Sequence, residues 1–326
     1  MSRLATSMLS FGVIAALLAG CGYDDTPLPE KPEAAAPTPA APADCTTKQE
    51  DLRSFEPSDE VVPGGKVEEI VDRGRLIVGV SADTFLMASA NPEAGNKIEG
   101  FDIEFAKAIG RAIFGSNFEA GRDIQFRVIT AADRIPLLQE EELDLVIRNF
   151  TINCDRWQDI AFSQVYYGAT QKVLVSRSLA EAGYDGVGDL EGLSVCAPTG
   201  STSLDNVVEA AEREGVEPPT LDPAPNHTGC LVKFQRGEVD AITGDDTVLA
   251  GLAAQDPYAV VPEQAPLNDE PYGIGANKKD EDLVKFVNAV LEDMRADGSW
   301  QAIYDRWLKS ALSGVEAVQP TPIYGR

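Results

Sequence analysis

The chain has 326 residues, and its 53 acidic and 27 basic residues give a formal net charge of −26 at pH 7. This acidity argues against nucleic acid and against direct binding to anionic lipid, because both would repel the protein. A single histidine and five cysteines, none in a Cys-x-x-Cys pair, argue against a zinc site, so we expect no metal and no cofactor.

Residues 1–20 predict an export signal. Arg3 precedes an apolar run over residues 8–18, which is too short to span a membrane. The run leads into Leu-Ala-Gly-Cys, which resembles the cleavage box of a bacterial lipoprotein; an ordinary signal peptide is the alternative. The lipoprotein interpretation makes Cys21 the lipidated N-terminus of an exported protein held at the outer face of the cytoplasmic membrane.

Residues 21–65 are predicted to form the lipid anchor and a tether. Proline and alanine dominate residues 22–44, a composition that cannot bury a core and favours an extended chain. A C-terminal tail over residues 313–326 also lies outside the periodic pattern. The residues between tether and tail are sufficient for two lobes of ordinary size.

Two strands and a helix are predicted next. Residues 76–80 form a short apolar run typical of a buried strand, and residues 124–129 predict a second strand. Between them lies a loop over residues 81–100 that contains Phe85, followed by a Gly-Phe-Asp-Ile-Glu sequence from Gly100. That sequence opens a helix whose apolar residues recur at helical spacing.

Residues 131–167 are the most informative stretch. A short amphipathic helix leads into an apolar strand over residues 145–147, which is followed by a polar segment over residues 149–153 and then by Arg156. Open α/β sheets bind ligands just beyond the carboxyl ends of their strands. Hydroxyl and amide groups with a fixed cation at that place predict a site for a small anionic ligand.

The chain then predicts a second lobe. Residues 172–175 are expected to cross to it as a strand, and residues 193–197 form its first own strand. A Gly/Ser/Thr turn at residues 199–203 opens a helix over residues 204–214. Such a turn offers free backbone N–H groups to a carboxylate, with an ordinary helix N-cap as the alternative.

A return to the first lobe follows. Residues 230–234 begin a helix, and residues 239–243 form a strand that ends near Asp245. The Asp245 carboxylate suits an ammonium group, and an ordinary helix N-cap is again the alternative. Residues 272–275 lead back to the first lobe, where two helices complete the pattern after residue 280.

These motifs together resemble the family 3 solute-binding proteins, the polar amino-acid receptors of ABC importers. The shared pattern is Asp-apolar-apolar, a Thr-x-Thr-like segment, an arginine and Phe-Ser-x-x-Tyr. Here these positions are Asp144, Thr151, Asn153, Arg156, Phe162, Ser163, Tyr166 and Tyr167. The Gly-Phe-Asp-Ile-Glu sequence is a second hallmark, and the likeness extends from Gly74 to about Leu308.

The resemblance implies an α/β fold, the two-lobe type II periplasmic-binding-protein fold with two hinge crossings. Lobe 1 would comprise residues 66–170 and 273–312, and lobe 2 would comprise residues 171–272. Two crossings favour a clamp that closes about a hinge.

The resemblance also implies roles for individual residues. The implied ligand-binding residues are Phe85, Arg134, Asn149, Thr151, Arg156, Ser201, Thr202, His227 and Asp245. Arg156 aligns with the arginine that grips the ligand's α-carboxylate in a bidentate pair, and a surface ion pair is its alternative role. Asp245 aligns with the carboxylate that takes the α-ammonium group.

Selectivity for the side chain depends on three further residues. Arg134 resembles the arginine that holds the side-chain carboxylate in glutamate- and aspartate-binding members; the alternative is an ion pair with a glutamate at positions 140–142. His227 falls where those receptors place a ligand-contacting histidine, with a surface position in a polar loop as the alternative. Arg148 is a further cation beside the site, although strand alternation can turn it away from the ligand.

The cysteines predict two disulfides in the exported protein. If Cys21 is lipidated, four cysteines remain, and they allow three pairings. Under the lobe assignment Cys196 and Cys230 share lobe 2, whereas Cys154 belongs to lobe 1, and a bridge between the lobes would block closure. We therefore predict Cys196–Cys230 and Cys45–Cys154.

Three functions are considered. The first is a monomeric receptor that presents glutamate or aspartate, with asparagine or glutamine as further candidates, to an ABC permease. The second is a sensor for a membrane signalling protein, because this sequence resembles actinobacterial lipoproteins that serve a kinase pathway controlling glutamate metabolism. The third is a dehydratase-like enzyme. Catalysis needs a positioned acid or base, and only His227 is left for that role, so we expect no catalytic residue.

Overall fold

The computed structural model describes residues 52–326 of the chain. The predicted export signal, Cys21, Cys45 and the predicted tether as far as residue 51 lie outside the described residues. Within residues 52–326, no helix is both long enough and apolar enough to cross a membrane.

The first lobe is formed by the N-terminal half of the described chain. Its elements, in order, are α1 (Lys66–Arg73), β1 (Leu76–Val80), β2 (Asp83–Thr84), β3 (Ala88–Asn91), β4 (Lys97–Glu99), α2 (Phe101–Phe114), α3 (Ala120–Asp123), β5 (Ile124–Val128), α4 (Arg134–Gln139), β6 (Leu145–Val146), α5 (Cys154–Asp159) and β7 (Ile160–Phe162).

A long strand then leads into the second lobe, and a later strand leads back. The elements are β8 (Tyr167–Ser176), α6 (Arg177–Glu181), β9 (Ser194–Cys196), α7 (Ser203–Glu214), β10 (Thr220–Leu221), α8 (His227–Gln235), β11 (Ala241–Asp245), α9 (Asp246–Ala253), β12 (Ala259–Val260) and β13 (Asn268–Tyr272). The first lobe is completed by β14 (Gly275–Asn277), α10 (Glu281–Ala296) and α11 (Ser299–Trp307).

Each lobe is built on its own sheet. The first has the strand order β5-β1-β6-β14-β7, in which β1 runs parallel to β5 and β6. The second has the order β10-β9-β11-β8-β12, and β13 pairs with β8. Since β8 and β13 pair antiparallel from Tyr167 opposite Tyr272 to Gln171 opposite Asn268, the two predicted hinge crossings lie side by side.

The core of the first lobe fixes where α2 begins. Helix α2 opens at Phe101, whose ring packs edge-on against Phe105 with centroids 5.0 Å apart. The preceding residue, Gly100, has φ +141°, and a Cβ there would lie 2.3 Å from the Met87 carbonyl oxygen. Only glycine fits this close backbone approach, so the Gly-Phe-Asp sequence marks the point where the loop turns into the core.

The second lobe contains a disulfide between Cys196 of β9 and Cys230 of α8, the pairing predicted from the sequence. The two Cα atoms are 5.5 Å apart, and both residues are fully buried. The other predicted pairing stays a prediction, because Cys45 lies outside the described residues.

The C-terminal tail packs against lobe 1, together with the first described residues. Ser54 pairs with Tyr324 as an isolated bridge, and the Ser54 N–H donates to the Ile323 carbonyl at 2.9 Å. The Ser54 hydroxyl is buried and donates to the Phe162 carbonyl at 2.8 Å. We name the paired segments, residues 52–55 and 319–326, the terminal pair. Lobe 1 thus includes residues that the sequence assigned to the tether and the tail.

Candidate functional site

A narrow cavity lies between the lobes, beyond the carboxyl ends of the central strands. Its lining comprises Ala131, Arg134, Arg148, Asn149, Thr151, Ser201, Thr202, Ser203, His227 and Asp245. The structure therefore brings together all the predicted ligand-binding residues except Phe85 and Arg156. The volume of ≈ 10 Å³ is about what one water molecule needs, so an amino acid can reach this site only if the lobes separate.

Arg156 contacts the lining from within lobe 1. It lies in α5, where the Asn153 side chain caps the helix by accepting from the Arg156 N–H at 2.9 Å. The Arg156 guanidinium is buried and donates to the Thr151 carbonyl at 2.6 Å. Burial lowers its pKa to about 10, so it stays a cation at neutral pH. The alternative of a surface ion pair is wrong, because no carboxylate in residues 52–326 lies within ion-pair distance of it.

Arg134 opens α4 and reaches across the cleft. Its Nε donates to the Ala131 carbonyl at 2.9 Å, and its Nη2 donates to the Gly200 carbonyl of lobe 2 at 3.0 Å. The expected alternative, an ion pair with residues 140–142, is wrong. Glu141 pairs with Lys279 and Glu142 with Arg127, whereas Arg134 is buried.

Arg148 also lies in the lining, so its side chain is not turned away from the cleft. Strand β6 ends at Val146, so the alternation of a strand does not extend to Arg148. Its Nε donates to the Ile129 carbonyl at 3.0 Å, while its Nη1 is buried and has no hydrogen-bond partner within the described part of the chain.

His227 is buried at the start of a helix. The sequence places this helix start near Cys230, whereas α8 begins at His227, because Asn226 caps it by accepting from the Gly229 N–H at 2.8 Å. The alternative of a surface position is therefore wrong. Burial, with a smaller contribution from Arg148, lowers the pKa of His227 to about 3, so the imidazole is neutral.

Asp245 and the turn before α7 present polar groups from lobe 2. Asp245 precedes α9 but does not cap it; its Oδ2 accepts from the Tyr272 hydroxyl at 2.5 Å. Burial and nearby Glu270 raise its pKa. Thr202 precedes α7 without a capping hydrogen bond, and the Ser201 hydroxyl donates to the Pro198 carbonyl at 2.7 Å. Neither helix-capping alternative holds for these side chains.

Phe85 lies outside the cavity. Its side chain is 42% exposed, and its carbonyl oxygen faces α9 of the other lobe. A Cβ added to Gly251 would lie 2.4 Å from that oxygen, so the lobes touch here through backbone atoms. Phe85 is therefore not among the residues that line the cavity in this structure, and its expected contact with the ligand stays a prediction.

The comparisons with known proteins agree with this architecture. Residues 76–310 match the family described as bacterial extracellular solute-binding proteins, family 3. The chain belongs to this family. The family and the two-lobe fold predicted from the sequence are thereby confirmed.

Two sequence relatives and one solved structure illustrate what this solute-binding protein is similar to. The ABC transporter glutamine-binding protein GlnH of Bacillus subtilis (strain 168) is 35% identical over 240 residues, covering 74% of this chain and 83% of the relative. The glutamate-binding protein GluB of Corynebacterium efficiens is 30% identical over 237 residues, covering 71% and 78%. An ancestral arginine-binding protein bound to arginine has a TM-score of 0.63 at 29% identity, covering 72% of this chain and 99% of that structure.

A buried glutamate of this solute-binding protein was not predicted from the sequence. Glu270 lies on β13 and is fully buried, where it accepts from the Thr151 hydroxyl, from the Thr202 hydroxyl at 3.0 Å and from the Asn206 amide at 2.6 Å. Burial raises its pKa, which the two hydroxyl donors and Arg156 oppose. Its partners come from both lobes, so Glu270 links them at the hinge.

A second buried carboxylate positions the polar segment after β6. Asp102 accepts from the Asn149 N–H at 2.8 Å and from the Tyr166 hydroxyl at 2.7 Å. Asn149 has φ +33°, a backbone conformation that residues other than glycine rarely adopt. Burial raises the pKa of Asp102 to about 6. The aspartate of the hallmark Gly-Phe-Asp sequence thus holds the backbone of Asn149, a residue of the cavity lining.

Buried charges of both signs surround the cavity of the solute-binding protein. Arg134, Arg148 and Arg156 are buried, and none has a carboxylate within ion-pair distance among residues 52–326. Buried carboxyl groups interact with them at longer range: Asp102 with Arg148, and Asp245 and Glu270 with Arg134 and Arg156. Burial raises the pKa of all three carboxyl groups and so disfavours their charged form. The guanidinium groups are therefore available to an anion against the global charge of −26.

Proposed function

We propose that this solute-binding protein is an exported receptor that clamps a free acidic amino acid, glutamate or aspartate, and presents it to an ABC importer. The observation that carries the proposal is the set of three buried guanidinium groups, Arg134, Arg148 and Arg156, none of which has a carboxylate within ion-pair distance in the described chain. A buried charge without a partner costs several kcal/mol, on the order of the penalty for an uncompensated ion. A dicarboxylate ligand supplies the missing partners.

Each charged group of the ligand has a proposed partner. Arg156 takes the α-carboxylate, with Asn149 and Thr151 as neighbouring contacts, and Asp245 takes the α-ammonium. Arg134 takes the side-chain carboxylate, since it lies in the lining of the cavity and already donates across the cleft to a carbonyl oxygen. Glutamine would give Arg134 only a neutral amide oxygen, which is the weaker acceptor.

The names of the relatives are consistent with this range of ligands. The Bacillus subtilis relative is named for glutamine and the Corynebacterium efficiens relative for glutamate. The buried positive charge of the present site favours the acidic member of that pair.

Calorimetric titration against glutamate, aspartate, glutamine and asparagine tests the proposal. We expect the two acidic amino acids to bind at least tenfold more tightly than their amides, because a charge-assisted hydrogen bond is about twice as strong as a neutral one. Arginine serves as a control ligand with a cationic side chain and should not bind. Tighter binding of glutamine than of glutamate would contradict the acidic assignment and leave the family assignment unaffected.

Binding is also proposed to close the clamp. Contacts that join the lobes include the Arg134–Gly200 hydrogen bond and the Thr228 N–H, which donates to Asp83 at 3.2 Å. A ligand held by Arg156 of one lobe and Asp245 of the other favours the closed state. Small-angle scattering should therefore show a smaller radius of gyration at saturating glutamate. The Arg156→Ala variant is the control and should show no compaction; an unchanged radius in the wild type would contradict closure.

The membrane partner and the location complete the proposal. Delivery to an ABC permease is proposed because the Bacillus subtilis relative is named as part of an ABC transporter. We propose that lipidation at Cys21 holds the receptor at the outer face of the membrane beside that permease, and that the receptor is a monomer. We propose binding without catalysis, because the matching family is one of solute-binding proteins and the proposal assigns Asp245 to the ligand's ammonium group.

A further inference from the structure

One aromatic residue contacts two of the buried arginines. The Arg134 guanidinium carbon lies 4.2 Å from the centroid of the Phe150 ring, and that of Arg156 lies 5.0 Å from the same centroid. Phe150 is fully buried and does not line the cavity. It follows Asn149 and precedes Thr151, which both line the cavity. One polar segment therefore places two residues in the lining and the Phe150 ring between them outside it.

The two arginines would otherwise repel each other. Arg134 and Arg156 are buried close together, and burial and the neighbouring Arg156 lower the pKa of Arg134. The face of an aromatic ring carries a partial negative charge and attracts a cation within about 6 Å. The Phe150 ring therefore offsets part of the repulsion while leaving the outer N–H groups free for a carboxylate.

The ring itself is held firmly. It packs edge-on against Phe162 with centroids 4.9 Å apart, and its backbone carbonyl accepts from the Gly273 N–H at 3.0 Å. A Cβ at Gly275 would lie 3.0 Å from the ring, so this glycine of β14 leaves the space that the ring fills. Because the Phe150 ring is fixed on two sides, it can fix the positions of the guanidinium groups that stack on it.

We propose that Phe150 is a positioning residue that determines specificity: its ring sets the spacing of the Arg134 and Arg156 guanidinium groups and thereby the length of dicarboxylate that the site prefers. This inference rests on the proposed function. Glutamate and aspartate differ by one methylene group in the separation of their carboxylates. Two cations preorganised at one spacing distinguish these ligands, whereas two loosely held cations adapt to either.

Fluorinated phenylalanines at position 150 test the electrostatic role, because they keep the shape of the ring and weaken its negative face. We expect the affinity for glutamate to fall stepwise from monofluoro- to difluoro- to pentafluorophenylalanine, by about tenfold in total. The ratio of glutamate to aspartate affinity should move toward one along the same series. Melting temperatures measured in parallel show that each variant is folded.

Phe118 provides a matched control. The Arg111 guanidinium carbon lies 5.7 Å from the centroid of the Phe118 ring, and neither residue lines the cavity, so this is a cation–π contact outside the site. The same substitutions at position 118 should leave both affinities and their ratio unchanged. Equal effects at the two positions, or no trend at position 150, would overturn the proposal.

The experiment separates this inference from the proposed function. If the wild type binds glutamine rather than glutamate, the acidic assignment fails. The preference for one length of dicarboxylate then fails with it, and the fluorination series measured with glutamine shows only whether the ring supports Arg156. If glutamate binds but the series shows no trend, this inference fails and the proposed function stands.

Discussion

Replacing Arg134 by alanine is expected to weaken glutamate binding by about 2–5 kcal/mol, as when one member of a buried charge pair is removed. Glutamine binding should weaken much less, since its side chain carries no charge. The preference between acid and amide should therefore flatten or invert. Calorimetric titration of both ligands against the wild type and the Arg134→Ala variant measures this difference.

Arg127 is the matched control for this substitution. It is a partly exposed arginine of the same lobe that pairs with Glu142 at 2.8 Å, so the Arg127→Ala variant removes the same charge outside the cleft. We expect it to leave both affinities unchanged, because a surface ion pair contributes roughly 0–1 kcal/mol. Equal losses for glutamate and glutamine in Arg134→Ala would show that Arg134 serves the structure only, and the acidic assignment would fall with it.

Removal of the lobe 2 disulfide is expected to lower the free energy of unfolding by about 3–4 kcal/mol. The bridge closes a loop between residues separated by 34 positions, so its loss enlarges the conformational freedom of the unfolded chain. The variant Cys196→Ala with Cys230→Ala should unfold at a lower urea concentration than the wild type. Both cysteines are buried, so we chose alanine to avoid burying two hydroxyl groups.

The comparison for the disulfide variant is the wild type with its bridges intact, both measured at equilibrium in urea. Because neither cysteine lines the cavity, glutamate affinity at low temperature should stay within about threefold of the wild-type value. A loss of stability below about 1 kcal/mol would contradict the chain-entropy account. A large loss of affinity at full folding would show that the bridge positions the cleft.

Local pattern explains why the sequence predicted so much of the fold. The apolar runs at β1 and β6, the amphipathic α4 and the turn before α7 each carry their own signal within a few residues. The roles expected for Arg134, Arg156 and Asp245 came from the resemblance to the family, and the structure places Arg134 and Asp245 in the cavity lining with Arg156 hydrogen-bonded to Thr151. The family match confirms that this order reflects the two-lobe architecture.

Contacts between distant residues explain what the sequence could not predict. Glu270 meets Thr151 from 119 positions away, and its neighbours Asp269 and Pro271 have the composition of a loop. Phe150 reads as an ordinary core residue, because nothing local shows that two guanidinium groups share its ring. The predicted orientation of the Arg148 side chain depended on the residue at which β6 ends, and strand boundaries are the part of a fold that sequence predicts least well.

The terminal pair has a practical consequence for reporter design. Ser54 and Tyr324 are bridged on lobe 1, so both ends of the described chain are attached to the same rigid half of the clamp. Two fluorescent domains fused at these ends would keep a constant separation while lobe 2 moves. A biosensor for this protein therefore needs one fluorophore inserted in lobe 2, for example beside the exposed Tyr258, with the other at either terminus.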